Sequence, residues 1–160
     1  MAQESRQTIR AFRPGDRRTA VNILIDSEPW KTLGYTESDW QRVFDAVERG
    51  QGRDGFILEM DGTVGGLAVL RRRFLLGDYL ELLAVAPSLR GRGIGRALLT
   101  HIETQVFAEG KNLFACVSDF NGEARYFYRA MGYEEVGPLP DLLVAGRAEI
   151  LLRKTTGPAR

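Results

Sequence analysis

One cysteine and one histidine in 160 residues leave little material for metal or disulfide chemistry. Cys116 has no partner for an intramolecular disulfide. With His101 equally solitary, neither a Cys-rich zinc site nor a multi-histidine centre can be assembled, and no metal is expected. Long apolar runs are missing too; none approaches the ~20 residues that cross a bilayer, so no membrane association is expected. Charge of one sign is also lacking. The 22 Lys+Arg stand against 21 Asp+Glu, a net charge of +1, without the basic excess of a nucleic-acid or membrane-surface binder. The opening Met-Ala-Gln-Glu-Ser-Arg carries no apolar stretch of a secretory leader, and a cytoplasmic location is expected.

What is present is the composition of a globular protein, 44% hydrophobic and 27% charged. That length can bury one sizeable core, and no repeat, low-complexity tract or linker divides it, so residues 1–160 are expected to form a single domain. Residues 8–13 alternate as a short strand closed by Pro14-Gly15. Asp16 can cap a helix with a Val21, Leu24, Ile25 stripe, and a loop follows over 27–35. Thr36 and Asp39 form a capping-box pattern ahead of Trp40, Val43, Phe44 and Val47, the spacing of a second helix. The period then changes. Runs at 56–60 and 63–70 flank Asp61-Gly62, a hairpin signal, and Gly77-Asp78 opens another strand over 79–85. A helix from near Gly95 stops at Gly110, a short strand follows at 113–117, and Asn121 can cap a helix bearing Ala124, Phe127, Tyr128 and Met131. Strands around 133–136 and 148–152 close the chain. Three consecutive strands before the third helix indicate a mixed sheet with helices, not a doubly wound one.

The most informative segment is Leu83-Ala84-Val85-Ala86-Pro87-Ser88-Leu89-Arg90-Gly91-Arg92-Gly93-Ile94-Gly95-Arg96, where a strand feeds a glycine-rich loop that opens into a helix. Free N–H groups at a helix start, with the dipole behind them, suit a phosphate or pyrophosphate, and Arg90, Arg92 and Arg96 add charge for the same anion. A dinucleotide fingerprint beginning at Gly91 fails because Arg96 stands where Gly or Ala is needed, and the Gly-Lys-Ser/Thr of a P-loop is absent.

The run Val85-x-Pro87-x-x-Arg90-Gly91-x-Gly93-Ile94-Gly95, followed by Ala97-Leu98-Leu99, resembles motif A of the GCN5-related N-acetyltransferases (GNAT). Asn121-x-x-Ala124-x-x-Phe127-Tyr128-x-x-x-Gly132-Tyr133 resembles their motif B, with Tyr133 in place of the usual Phe. The resemblance implies an α/β (α+β) fold: a mixed, mostly antiparallel central sheet of about seven strands flanked by four helices. It implies acetyl transfer from acetyl-CoA to a primary amine by direct attack in a ternary complex. It places the coenzyme pyrophosphate on Arg90, Gly91, Arg92, Gly93, Ile94, Gly95 and Arg96, and the pantetheine arm along Leu83, Ala84 and Val85 where that strand splays from its neighbour. Asn121 is expected to touch the coenzyme as well as cap its helix.

Such a transfer needs a base for the amine, a donor for the developing oxyanion and an acid for the departing thiolate. Glu81 is the candidate base, acting through water, with deprotonation through ordered waters alone as the alternative; alternation sets Glu81 on one side with Tyr79 and Leu83. Tyr128 is the candidate acid and also a cofactor contact, its ring inward and its hydroxyl toward the thioester sulfur. Cys116 reads as a buried structural thiol and His101 as a packing residue. For the acceptor, Trp30 and Tyr35 in the nonhelical connector are the pocket candidates, Trp40 belongs to a helix core stripe, and Arg71-Arg72-Arg73 reads as a solvated turn ahead of the alternative, recruitment of an anionic acceptor or of the coenzyme's 3′-phosphate. A small-molecule acceptor is expected ahead of a protein, and no nucleic acid. Membership of such a family also implies a homodimer, with Leu142-Leu143-Val144 either its interface or core. A non-catalytic acyl-CoA-binding sensor is the alternative, and the presence of Glu81, Asn121 and Tyr128 argues against it.

Overall fold

The computed structural model describes residues 4–160; residues 1–3, the start of the N-terminal stretch read above, lie outside the described residues. Seven strands form one sheet: β1 (Gln7–Ala11), β2 (Arg53–Met60), β3 (Thr63–Phe74), β4 (Gly77–Val85), β5 (Asn112–Ser118), β6 (Glu134–Pro140) and β7 (Ala148–Thr155). Their order is β1-β2-β3-β4-β5-β7-β6, antiparallel except where β4 meets β5. Helices α1 (Arg17–Ile25), α2 (Trp30–Leu33), α3 (Glu37–Glu48), α4 (Ile94–Glu109) and α5 (Gly122–Ala130) cover the two faces. The expected strand and helix order therefore holds, with the one-turn α2 added inside the connector read as a loop.

Local chemistry explains most boundaries. Asp61 and Gly62 both take positive φ, the backbone that a two-residue hairpin between right-twisted strands requires. The Asp39 carboxylate accepts from the Thr36 N–H at 2.8 Å and starts α3. Asn121 Oδ1 accepts from the Ala124 N–H at 3.1 Å and starts α5. Asp16 does not cap α1: its carboxylate is taken by the Arg10 guanidinium at 2.8 Å and the Arg13 N–H at 2.7 Å, tying β1 to the turn before α1. On α1 it is Ile23 that is buried and Ile25 that is exposed. The strand expected to stop at Leu70 runs to Phe74, so Arg71–Arg73 are strand, not turn; Arg72 pairs with Asp54 and Asp78 at 2.8 and 3.1 Å.

Each face carries its own core. Leu80, Leu98, Leu99, Ile102, Leu113 and Tyr128 pack under α4 and α5. Leu24, Trp40, Phe44, Ile57, Leu82 and Ala84 pack under α1 and α3. His101 packs edge-on against Phe56. Leu142 and Leu143, at 51% and 46% exposure between β6 and β7, are not core. The edge strand β6 carries Pro138 and Pro140 and breaks register between Glu135 and Gly137.

Helix α4 reaches β3 only because Gly66 has no side chain. A Cβ there would lie 2.7 Å from Ile94 Cγ2 and 2.9 Å from the Ala84 carbonyl oxygen. We expect Gly66→Ala to cost about 1–3 kcal/mol in a urea melt, the usual range for overpacking. Gly137→Ala, with open space around it, is expected to leave the midpoint unchanged. Equal midpoints for both would show that the α4–β3 contact is slack.

Candidate functional site

Parallel strands β4 and β5 pair over only Asp78–Leu80 and Leu113–Ala115. From Glu81 onward β4 keeps its ladder with β3, and from Cys116 onward β5 keeps its ladder with β7, but the two strands share none. A cleft opens between them toward the C-terminal end of β4. Backbone N–H and C=O groups along its walls need partners, and an extended amide-bearing chain can supply them as a strand would.

That end of β4 is also where the glycine-rich loop begins. Gly91 and Gly93 both hold φ of +77°, with nothing within 4 Å of where a Cβ would sit. Gly93 is the residue before α4, and the first bond of that helix runs from the Ala97 N–H to the Gly93 carbonyl at 3.0 Å. The amides of Ile94, Gly95 and Arg96 therefore have no intrahelical acceptor and point out of the sixteen-residue helix at its positive end. A Cβ at Gly95 would meet Val85 Cγ2 and Phe127 Cζ at 3.6 Å, so the helix start lies close to the end of β4 and to α5. Arg90, Arg92 and Arg96 are all exposed beside these amides, with Arg92 Nη1 lying 3.7 Å from Met60 Sδ. Phosphate geometry fits this loop: outward amides, a dipole, open space and three exposed arginines.

Tyr128 comes from α5 on the far side of the cleft, 8% exposed, with its ring edge-on to Phe127 and Tyr133. Burial raises its pKa well above the ordinary tyrosine value, so the hydroxyl keeps its proton at neutral pH and can donate it. Tyr133 behind it donates to Glu103 at 3.1 Å, and Lys154 closes the network on the other Glu103 oxygen at 2.7 Å. Asn121 spends Oδ1 on the cap of α5, which leaves its amide nitrogen for another partner.

Glu81 is displaced by a bulge. Leu82 pairs with Val69 and Leu80 with Leu70, so Glu81 is the extra residue between them. The alternation of β4 reverses at that point: Leu80 and Leu83 lie against the α4 core, Leu82 and Ala84 against the α1/α3 core. Glu81 consequently shares a side with Tyr79, as expected, and not with Leu83. Its carboxylate is gripped by Arg53, Nε to Oε2 at 2.6 Å and Nη2 to Oε1 at 3.1 Å, a two-point pair that also raises the Arg53 pKa.

The same face carries the connector. Tyr35 stacks on Trp40 at 5.0 Å and Trp30 meets it edge-on at 5.4 Å, with Trp40 only 3% exposed, so Trp40 is the core residue expected and its two neighbours are half-buried around it. Burial, then the charges of Glu149, Asp39 and Glu81, raise the Tyr35 pKa. Cys116 stands beside Tyr79; burial raises both pKa values and keeps the thiol protonated and inert. Sequence reasoning missed Arg53 and Glu149. Arg53 has no signal beyond ordinary strand polarity. Glu149 left one: an acid set directly in the apolar run Ile150-Leu151-Leu152 of β7. Among the described residues no three His, Cys, Asp or Glu side chains gather as a metal site, and no helix is long and apolar enough to cross a membrane.

Compared with known proteins, the chain matches the acetyltransferase (GNAT) family over residues 18–133. It is 36% identical over 63 residues to a peptidyl-lysine N-acetyltransferase of Salmonella typhimurium, covering 39% of this chain and 41% of that protein. It is 35% identical over 101 residues to an uncharacterised N-acetyltransferase of Methanocaldococcus jannaschii, covering 62% and 64%. The match thus spans less than two thirds of either relative. Among solved structures, the ribosomal-protein-S18-alanine N-acetyltransferase of Escherichia coli has a TM-score of 0.78 over 97% of both chains at 21% identity, a likeness of fold.

Proposed function

Because this chain belongs to the GNAT acetyltransferase family, we propose that it is an acetyl-CoA-dependent N-acetyltransferase acting on a primary amine by direct attack in a ternary complex. The observation that carries the reading is the junction of two features: strands β4 and β5 part where the free amides of the Gly91–Arg96 loop face outward. Acetyl-CoA supplies an activated acetyl thioester. The amides of Gly91 to Arg96, with the guanidinium groups of Arg90, Arg92 and Arg96, hold its pyrophosphate. Leu83, Ala84 and Val85 give main-chain hydrogen bonds to the pantetheine arm, and a β4 N–H polarises the carbonyl. Asn121 adds its amide nitrogen.

Tyr128 gives its proton to the departing sulfur. Glu81, fixed by Arg53 on the other side of the bulge, receives the amine's proton through water. The acceptor enters on the face of Trp30 and Tyr35. The amines named for two relatives, a peptidyl lysine and an alanine of ribosomal protein S18, belong to proteins and weigh against restricting the acceptor to small molecules. The homodimer expected from the sequence would use the exposed Leu142–Leu143 connection. Cytoplasmic action on a soluble amine completes the proposal.

Calorimetric titration with acetyl-CoA, against NADH and ATP, is expected to give selective micromolar-range binding; equal or absent binding would remove the loop assignment. Gly93→Glu should abolish that binding, since the new side chain occupies the open space at the amides. Tyr128→Phe should bind acetyl-CoA normally and turn over on the order of 10²-fold more slowly, the contribution of a positioned acid. Glu81→Gln should slow turnover at neutral pH and recover toward alkaline pH, where the amine loses its proton unaided; an unchanged pH–rate profile returns the base to solvent.

A further inference from the structure

Tyr128 sits on a helix of only nine residues, yet an acid aimed at one sulfur atom must be held to within about 0.5 Å of its productive place. Tyr133, in the turn between α5 and β6, bears on it twice. The Tyr133 N–H donates to the Tyr128 carbonyl at 3.0 Å and closes the end of the helix. Its ring meets the Tyr128 ring edge-on, with centroids 5.4 Å apart. Phe127 makes a second edge contact with the same ring at 5.2 Å.

Tyr133 is fixed in turn by a buried polar chain that joins three elements. Its hydroxyl donates to Glu103 Oε1 of α4 at 3.1 Å, and Lys154 Nζ of β7 donates to Glu103 Oε2 at 2.7 Å. Tyr133 is 3% exposed and Glu103 9%. A carboxylate with both oxygens taken by donors in so shielded a place is a firm anchor, because either bond is costly to give up. The Lys154 ammonium also lies 5.8 Å from the Tyr133 ring centroid. Gly132, at φ of +92°, lets the turn pass close to that lysine: a Cβ there would stand 3.5 Å from Lys154 Cε. By contrast, the Arg125–Glu135 pair that also ties α5 down is exposed and contributes little.

We propose that the Tyr133 hydroxyl, anchored on Glu103 and Lys154, is the positioning group for the Tyr128 acid. The proposal rests on the acetyltransferase reading and adds a residue whose effect passes through Tyr128. The Tyr133 hydroxyl is committed to Glu103, so it acts on the acid's placement and not on substrate. Helix α4 begins at the glycine-rich loop and α5 carries the acid. The Tyr133–Glu103 bond ties the two, keeping coenzyme seat and acid in one register.

Two readouts on the full chain test this. The first is the flip rate of the Tyr128 ring by aromatic NMR relaxation, its signals assigned by their loss in Tyr128→Phe. Tyr133→Phe should speed the flip on the order of 10-fold. Glu103→Gln, which keeps an oxygen for the Tyr133 hydroxyl, should leave the rate near that of wild type. The second is a double-mutant cycle on turnover, followed by release of the coenzyme thiol, with short peptides bearing a free lysine or an N-terminal alanine as probes. Tyr133→Phe should lower kcat about 10-fold with KM and acetyl-CoA affinity unchanged, and cost nothing further in a Tyr128→Phe background. Equal losses in both backgrounds, the mark of a merely structural role, overturn the proposal. So does an unchanged flip rate in Tyr133→Phe, or a Glu103→Gln rate as fast as that of Tyr133→Phe. Where neither peptide is acetylated, the flip rate decides alone. Undiminished turnover in Tyr128→Phe removes the acid and this proposal with it, whereas failure of the cycle alone leaves the acid in place. Failure of wild type to bind acetyl-CoA overturns the acetyltransferase reading itself.

Discussion

The parallel ladder between β4 and β5 ends after three residue pairs, and the rest of the site follows from that interruption. Backbone groups in a sheet interior are obliged to find partners. Where two central strands diverge, the obligation passes to whatever fills the space between them. Both walls remain rigid because each keeps its outer neighbour, β3 on one side and β7 on the other. Helices α4 and α5 pack across the same region, and the contact of Gly95 with Val85 and Phe127 sets the phosphate-type loop at the open end. A fixed spacing between loop, cleft and Tyr128 thus needs no loop ordering; it is carried by packed secondary structure.

Two carboxylates flank this opening in contrasting environments. Glu81 has a guanidinium on both oxygens; Glu149 lies buried beside the Ser118 hydroxyl. The first is a charge already paired and held in place, the second a carboxyl whose pKa burial raises. Pairs of titratable groups separated by their surroundings in this way divide labour in many active sites. Here one belongs to each half of the sheet.

Much of this was legible in the residues. The loop at Arg90–Arg96, the Asp61-Gly62 hairpin and the Asn121 cap all act through local backbone chemistry, which sequence carries directly. The reversal at Glu81 was not legible, because a bulge depends on the register imposed by β3 and leaves the alternation of β4 looking uninterrupted. Ile25 and Ile23 exchanged roles for a related reason: both fit a helical stripe, and the direction of α1 over the sheet decides between them. The Arg71–Arg73 run looked like a turn by its charge, yet Asp54 and Asp78 on the flanking strands neutralise Arg72 and let β3 continue. Glu149 was passed over since an acid within a strand ordinarily faces water, and only the neighbouring β5 and the connector reveal that it does not.

The outer margins of the sheet complete the picture. On one side β6 offers Pro138 and Pro140, which have no N–H to give, and a register break. On the other, β1 is five residues long and carries Arg10, clamped to Asp16 and Glu59. Both are devices that discourage a second chain from adding itself edgewise. The long runs of unpaired strand backbone are therefore enclosed within the fold, under helices and beyond the reach of another sheet. Resistance to aggregation and an appetite for an extended guest arise here from one arrangement: the sheet closes its edges to its own kind and opens its middle to something narrower.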